Sequence, residues 1–510
     1  MEVGAGALGQ PVGAGSLNPV LRFWRRNQAA AAPRPERLSM LLFALTAFVY
    51  LLSGRTFFGY DGEMMYRVSE SLVLRHSVQV VDPIYHLSEP YAAYAIGLSL
   101  LMAPLVAIGA VLFHDPRLLV TLLEPTVTAL TVVVLNLLLV ELGCSWRRSV
   151  AIAIGYAFGT LAWHYSNVLF TEPVIGLCLV AAVLGLLRHR RHGGTGSLVI
   201  AGTAAGIAVL MRWDSVLTAA APIGLCAVWV VARTPAPLRS RILKLAAFLA
   251  PVAIAVGINL AYDVLRFGQP LAGPYSGDQL GFSTPLLKGV FGLLLSPGVG
   301  LFVYTPVLLM SVLAFPGFWK HWKVEGALIL ALFAVRVAFF ARYWSWDGGA
   351  TWGPRFLVPL IPLLVVPLAF LPRDRRIEIA TIALAAVGVA IQLLGQLVPY
   401  GLYYGTVIPQ LTTQLGLCHG CLPFPGSQSE AVSHITDFDW RYAPLTVQVK
   451  YLLQGISAPP WGQIAFAIPL LLALVGYGLL RVQQLAMGLD VAAKEKGRPA
   501  GRPLRRSSSG

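Results

Sequence analysis

Residues 118–143 read LLVTLLEPTVTALTVVVLNLLLVELG, an apolar run in which Glu124 is the only charged residue before Glu141. About 20 apolar residues are enough for a helix to cross the hydrocarbon core of a bilayer. Similar runs recur between residues 40 and 480. Hydrophobic residues make up 56% of the chain and charged residues only 12%, against roughly 25% charged residues in soluble domains. The sequence therefore predicts an all-α polytopic membrane protein.

About twelve runs are expected to cross the membrane. They lie at residues 38–54, 118–143, 149–170, 172–187, 197–211, 215–232, 244–264, 301–319, 325–342, 356–371, 376–398 and 461–481. Lys and Arg cluster at alternate ends of these runs, and such clusters favour the cytoplasmic side of a membrane. Both termini are therefore expected in the cytoplasm and the acidic loops outside the cell membrane, with a bacterial plasma membrane as the expected location.

The same pattern divides the chain into three regions. A basic, disordered N-terminus is expected at residues 1–37, a transmembrane domain at 38–481, and a basic cytoplasmic tail at 482–510. Because basic residues avoid the outer side, residues 91–113 cannot cross without placing every later basic cluster outside. We therefore expect interfacial or re-entrant helices at 91–113 and 285–299.

Three long outer loops follow from this topology, at residues 55–117, 265–300 and 399–460. Loops of this length usually carry function. In the last of them, Cys418 and Cys421 form CHGC, for which we expect a local disulfide. A zinc site would need a second pair of ligands, and within that loop only His434 offers one.

Several functions are disfavoured. The net charge of +15 sits in short loop clusters, as expected for contact with anionic lipid rather than nucleic acid. GAGALG at 4–9 fits a dinucleotide-binding pattern only as a string, since no strand precedes it. No lysine follows a glycine, so the chain has no P-loop.

Two carboxylates are the leading candidates for chemistry. Asp61 follows the first span and precedes the amphipathic stretch MMYRVSESLVLR, so a helix on the membrane surface would hold it at the water boundary. Glu172 lies in the turn Thr171-Glu172-Pro173 on the same side. Such acids can bind a divalent cation or accept a proton from a hydroxyl. Helix capping at Asp61 and helix-dipole stabilisation at Glu172 are the structural alternatives.

The order of motifs resembles the GT-C superfamily of lipid-linked-sugar-dependent glycosyltransferases, which includes protein O-mannosyltransferases and bacterial aminoarabinose transferases. The matching segments cover most of the membrane region. They are YDGEMMY at 60–66, TEP at 171–173, RFGQPLAGPY at 266–275, LLLSPGVGLFVYTPVLL at 293–309 and WDGGATWGPRFLVPLIPLL at 346–364. The commoner Asp-Glu doublet of the family is Asp61-Gly62-Glu63 in this chain.

The resemblance implies a sugar donor carried on a polyprenyl phosphate, an acceptor glycan, lipid or protein, and inversion at the anomeric carbon. Asp61 would act as base or orient the acceptor, with Glu172 assisting and Glu63 as a further candidate. A divalent cation, if one is used, would bind Asp61 and Glu172. The implied substrate and phosphate contacts are Arg355, Lys288, Arg266, Arg212, Tyr60 and Tyr275. Each cation could instead extend to the lipid headgroups.

Two other functions are compatible with the topology. Twelve spans with both ends inside also suit a secondary transporter or a flippase, although the sequence shows no repeat relating its halves. A non-catalytic membrane scaffold would not depend on Asp61. Near the site, Trp344, Trp346 and Trp352 are expected in an interfacial tryptophan belt. Glu124 and Arg336, which lie within spans, are expected to support the site from below.

Overall fold

The structure is a computed structural model that describes residues 35–53, 58–80, 90–271, 281–417 and 430–456. Several sequence predictions lie outside these residues: the disordered N-terminus, the span at 461–481, the tail, Tyr275 and the Cys418–Cys421 pair.

The described chain is built mainly from α-helices, with turns, longer loops and short 3₁₀ segments between them. The helices are Pro35–Ser53 (α1), Tyr60–Leu74 (α2), Gly97–Phe113 (α3), Leu123–Glu141 (α4), Trp146–Gly159 (α5), Thr171–His192 (α6), Thr195–Met211 (α7), Ala221–Ala232 (α8), Leu238–Phe267 (α9), Leu286–Leu295 (α10), Leu308–His321 (α11), Lys323–Arg342 (α12), Arg375–Leu397 (α13), Tyr400–Gln414 (α14), Glu430–Phe438 (α15) and Pro444–Leu453 (α16).

The membrane class predicted from the sequence is confirmed. Within the described ranges, five helices are long and apolar enough to cross a bilayer: Leu119–Glu141, which includes α4, together with α6, α9, α12 and α13. Shorter apolar helices coincide with most of the other predicted spans. The chain is a multi-pass membrane protein, while the number twelve stays a prediction.

Prolines break two of the predicted spans into shorter pieces. The span predicted at 301–319 consists of a single turn, Leu301–Tyr304, followed by α11. Residues 355–370 alternate between 3₁₀ and α turns. Pro306 separates the first pair of helices, and three prolines lie in the second segment. Proline has no backbone N–H and cannot complete the regular ladder of helical hydrogen bonds.

Ion pairs distinguish the two ends of the helix bundle. At one end, Arg190 near the end of α6 pairs with Glu325 at the start of α12, at 2.8 Å. At the other end, Glu172 at the start of α6 pairs with Arg212, which directly follows α7. Each pair joins residues that the sequence predicts on one side of the membrane, while the orientation of the bundle in the membrane stays a prediction.

Helix α3 returns to α2 at both of its ends. Near its start, the Ser99 hydroxyl donates to the carbonyl of Met65 at 2.7 Å. Beyond its end, Arg117 pairs with Glu63. Both partners lie in the first two turns of α2. That residues 91–113 enter and leave on one face of the membrane stays a prediction.

Candidate active site

Asp61 lies in the first turn of α2 and faces the interior of the protein. The helix begins after Gly59 and has no side-chain cap. The Asp61 carboxylate instead accepts a hydrogen bond from the Tyr94 hydroxyl at 2.6 Å on Oδ1, and Arg355 pairs with Oδ2. The capping interpretation of Asp61 is therefore not what the structure shows.

Gly62 allows this turn to lie against the neighbouring chain. A Cβ atom at Gly62 would lie 2.4 Å from the carbonyl oxygen of Leu169, which no side chain tolerates. Leu169 lies three residues before Glu172, so the close contact holds Asp61 and Glu172 in the same region. The close packing against Leu169 therefore explains why a glycine stands between Asp61 and Glu63.

Glu172, in the first turn of α6, is fully buried. Its Oε1 atom accepts from Nε of Arg355 at 2.9 Å and from Nη1 of Arg212 at 3.2 Å. The Thr171 hydroxyl lies 3.3 Å from Oε2. Glu172 is thus held by two arginines, in addition to any interaction with the helix dipole.

Arg355 joins the two carboxylates. Its guanidinium pairs with Asp61 through Nη2 and with Glu172 through Nε, although the partners lie 294 and 183 residues away in sequence. The guanidinium also lies 4.0 Å from the centre of the Phe170 ring. Arg355 is only 8% exposed, so it faces the protein interior rather than the lipid headgroups.

The loop before Arg355 depends on glycine. Gly348, Gly349 and Gly353 have φ values of 83°, 70° and 70°, in the left-handed region that other residues rarely adopt. The loop turns inward, and Trp346 and Trp352 are 5% and 1% exposed. The belt interpretation is therefore wrong for these two tryptophans, because the loop buries them within the protein.

A second layer of charges adjoins this centre. Arg212 pairs with Asp214 at 2.7 Å through Nε. Asp214 Oδ2 lies 3.4 Å from the Thr218 hydroxyl, which also accepts from the fully buried Arg336 at 3.1 Å. Arg336 therefore supports the site from within α12, as expected. Glu124 is also fully buried, and its carboxylate oxygens have no hydrogen-bond partner among the described residues.

The surroundings keep Asp61 ionised. Burial raises the pKa of Asp61, but the charge of Arg355 and hydrogen bonds from Tyr94 and Arg355, with a further contribution from Arg212, outweigh burial and bring this pKa below its usual range. The Asp61 carboxylate is therefore negatively charged at neutral pH.

Other predicted site residues lie in separate contacts. Glu63 is buried and pairs with Arg67 at 2.7 Å as well as with Arg117. Arg266 pairs with Asp263 at 2.6 Å, and Lys288 with the exposed Glu430 at 3.0 Å. Tyr60, half-buried, is the first residue of α2.

Tyr94 and Asp214 were not among the candidates from the sequence. No motif marks Tyr94, and its partner Asp61 lies 33 residues away. The position of Asp214 in the sequence does point to the site. Arg212 and Asp214 directly follow the predicted span at 197–211, whose end is predicted to face outward.

The two leading carboxylates are bridged by an arginine rather than arranged around an open metal site. In the described ranges, no group of three or more His, Cys, Asp or Glu side chains could hold a metal ion. Arg355 lies between Asp61 and Glu172. A divalent cation bound to both would therefore require Arg355 to move.

Comparisons with known protein families and with curated proteins find no match. Among solved structures, the chain is similar to ArnT from Cupriavidus metallidurans in the apo state, with 15% identity and a TM-score of 0.48, covering 89% of this chain and 74% of that one. The structure of ArnT bound to undecaprenyl phosphate gives a TM-score of 0.44 at the same identity, covering 89% of this chain and 75% of that one.

The archaeal oligosaccharyltransferase AglB from Archaeoglobus fulgidus, in complex with an inhibitory peptide and a dolichol-phosphate, is also similar. The identity is 13% and the TM-score 0.41, with 85% of this chain and 56% of that one covered. The chain thus spans little more than half the length of AglB.

Proposed function

We propose that this protein is a membrane glycosyltransferase that transfers a sugar from a polyprenyl phosphate to an acceptor on the outer face of the membrane. The observation that carries the proposal is the buried arrangement of Arg355 between Asp61 and Glu172. It brings together a carboxylate that can accept a proton and a guanidinium that can bind a phosphate. The sequence motifs that resemble GT-C enzymes include all three residues.

Asp61 is the proposed base. As the acceptor hydroxyl attacks the anomeric carbon, a new C–O bond forms, the bond from that carbon to the phosphate oxygen breaks, and the hydroxyl proton passes to Asp61. A single displacement of this kind inverts the anomeric configuration. Glu172 holds Arg355 and Arg212 at the site.

Arg355 and Arg212 are proposed to bind the donor phosphate. A guanidinium has five N–H donors, and the ion pairs with Asp61 and Glu172 use two of those on Arg355. A planar guanidinium can hold two phosphate oxygens at once. The leaving polyprenyl phosphate is stable as an anion, so positive charge is sufficient and no general acid is required.

The lipid tail would remain in the bilayer. Val216 and Leu217, which lie shortly after Arg212, are 39% and 52% exposed, so an apolar surface adjoins the charged site. A donor with its phosphate at Arg212 could therefore keep its isoprenoid chain against this surface, because contact between apolar groups is favourable.

The proposal is tested by transfer in proteoliposomes. Purified protein is given polyprenyl phosphates that carry a radiolabelled hexose or pentose, together with a membrane extract as the source of acceptors. We expect label to move from the polyprenyl phosphate to a new product with wild-type protein. Movement of the intact labelled lipid across the bilayer, with no product formed, would favour a flippase instead.

A further inference from the structure

We propose that the Asp263–Arg266 ion pair in the last turns of α9 is a positioning unit that holds both sides of the active site. The structural part of this inference is independent of the proposed function, and only the expected effect on catalysis rests on it. The side chains of Asp263 and Arg266 are 3% and 2% exposed, and Oδ1 lies 2.6 Å from Nη2. The guanidinium carbon of Arg266 lies 3.9 Å from the centre of the Tyr262 ring.

One branch of the unit leads to the proposed base. Nη1 of Arg266 donates to the carbonyl oxygens of Ala92 and Tyr94, the latter at 3.1 Å. The Tyr94 hydroxyl in turn donates to Asp61. Arg266 therefore holds the backbone of the residue whose side chain orients Asp61.

The second branch leads to the proposed phosphate site. The ion pair with Arg266 is made through Oδ1 of Asp263. The other carboxylate oxygen, Oδ2, accepts a hydrogen bond from the indole nitrogen of Trp213 at 3.1 Å. Trp213 lies between Arg212 and Asp214 in the turn that follows α7. Asp263 thus fixes the turn from which Arg212 reaches Glu172.

Stability alone does not explain a buried pair of this kind. Removing two charges from water is costly, and apolar residues of similar volume often stabilise a protein as well or better. Among the described residues, Nε of Arg266 has no hydrogen-bond partner, so the pair is not fully satisfied. Its other polar contacts lead to Ala92, Tyr94 and Trp213, and two of these connect to the active site.

The inference is tested first without an activity assay. In Arg266→Gln, hydrogen exchange of peptides covering residues 90–96 should speed up by about tenfold or more, because the carbonyl contacts that order this segment are lost. Arg190→Gln is the control, since it replaces the arginine of another ion pair, with the buried Glu325, at the opposite end of the bundle. It should leave exchange at 90–96 unchanged.

The second readout is the pH dependence of transfer. The groups that act on the charge of Asp61 are Arg355, Arg212 and Tyr94. Tyr94→Phe removes a hydrogen bond to the ionised carboxylate, so the acid limb of kcat/KM should move to higher pH. Arg266→Gln should move the limb in the same direction, and the double variant should show little further change. Arg190→Gln should leave the limb in place.

Unchanged exchange at 90–96 in Arg266→Gln would overturn the inference, as would an acid limb that matches wild type. If wild-type protein shows no transfer, the proposed function fails, but the exchange experiment still decides whether Arg266 orders the segment that carries Tyr94.

Discussion

At the residue scale, one arginine serves two carboxylates. Arg355 pairs with both Asp61 and Glu172, and Arg212 adds a second positive charge beside Glu172. A phosphate that reaches the site would compete with Asp61 for the Arg355 guanidinium. Donor binding and release of the base are therefore expected to be linked.

Asp61→Asn keeps the size of the side chain and its ability to accept from Tyr94, but removes the negative charge. Transfer should fall by about a hundredfold or more, since general-base catalysis is typically worth 10²–10⁴. The rate of label transfer at equal protein amounts is the measurement. Asp439→Asn is the control, because Asp439 is also on the predicted outer side and pairs with an arginine, Arg441, at the surface. It should transfer normally. Near-normal transfer by Asp61→Asn would remove Asp61 from the role of base.

Arg355→Lys keeps the charge at the site but loses the planar guanidinium. The apparent affinity for the donor should weaken by roughly 1–3 kcal/mol, the range for hydrogen bonds to charged groups, while the acceptor constant changes little. Kinetic titration of both substrates in Arg355→Lys and Arg355→Ala makes the comparison. Unchanged donor dependence in Arg355→Ala would exclude this residue as the phosphate ligand and leave Arg212, which also pairs with Glu172, as the candidate.

The pH profile of wild-type protein is a further expectation. Because the pKa of Asp61 lies below its usual range, Asp61 should stay ionised from neutral pH down to at least about pH 5, without loss of kcat/KM from this group. Below its lowered pKa the carboxylate binds a proton and transfer should fall. An acid limb near pH 6 or 7 would show that another group acts as base.

The charged centre of the site is predictable from the sequence, but the residues that support it are not. Asp61 and Glu172 are candidates because both are acids at the ends of spans on the predicted outer side, and Arg355 and Arg212 because the family resemblance implies cationic contacts to a donor phosphate. Tyr94 could not be found in this way, since a tyrosine beside an apolar run is common and its contact with Asp61 depends on the tertiary fold.

At the element scale, helix periodicity predicted α2 well. The stretch after Asp61 was expected to form an amphipathic helix, and α2 covers Tyr60–Leu74. The loop predicted at 399–460 contains α14, α15 and α16 in its described part. The positions of Lys and Arg predict that this region lies outside, but they do not predict its helices, because these are short and less apolar than a membrane span.

The topology of α3 can be tested with single cysteines in a cysteine-free background. Thiols introduced at His76 and Asp115, both exposed, should react with an impermeant reagent in intact cells, since residues 55–117 are predicted to lie wholly outside. A thiol at Thr195, the first residue of α7, next to the turn at the opposite end of α6, is the control and should react only after permeabilisation. Labelling at His76 with protection at Asp115 would show that α3 crosses the membrane.

At the scale of the whole molecule, charged side chains form two separate groups, one at each end of the helix bundle. One end carries Arg190 and Glu325 together with the basic turn after α6, and the other carries the Asp61–Arg355–Glu172 centre. The sequence predicted this division from the positions of Lys and Arg. It could not predict which outer residues meet, because that depends on how α2, α6 and the Arg355 loop pack together.

The most direct test of the central claim is a single-turnover measurement in proteoliposomes. A limiting amount of radiolabelled polyprenyl phosphate sugar is mixed with excess wild-type, Asp61→Asn or Arg355→Ala protein and an acceptor extract, and loss of label from the lipid is followed. The account predicts rapid loss with wild type, loss slowed by about a hundredfold or more with Asp61→Asn, and weakened donor capture with Arg355→Ala. Equal rates for all three proteins would contradict it.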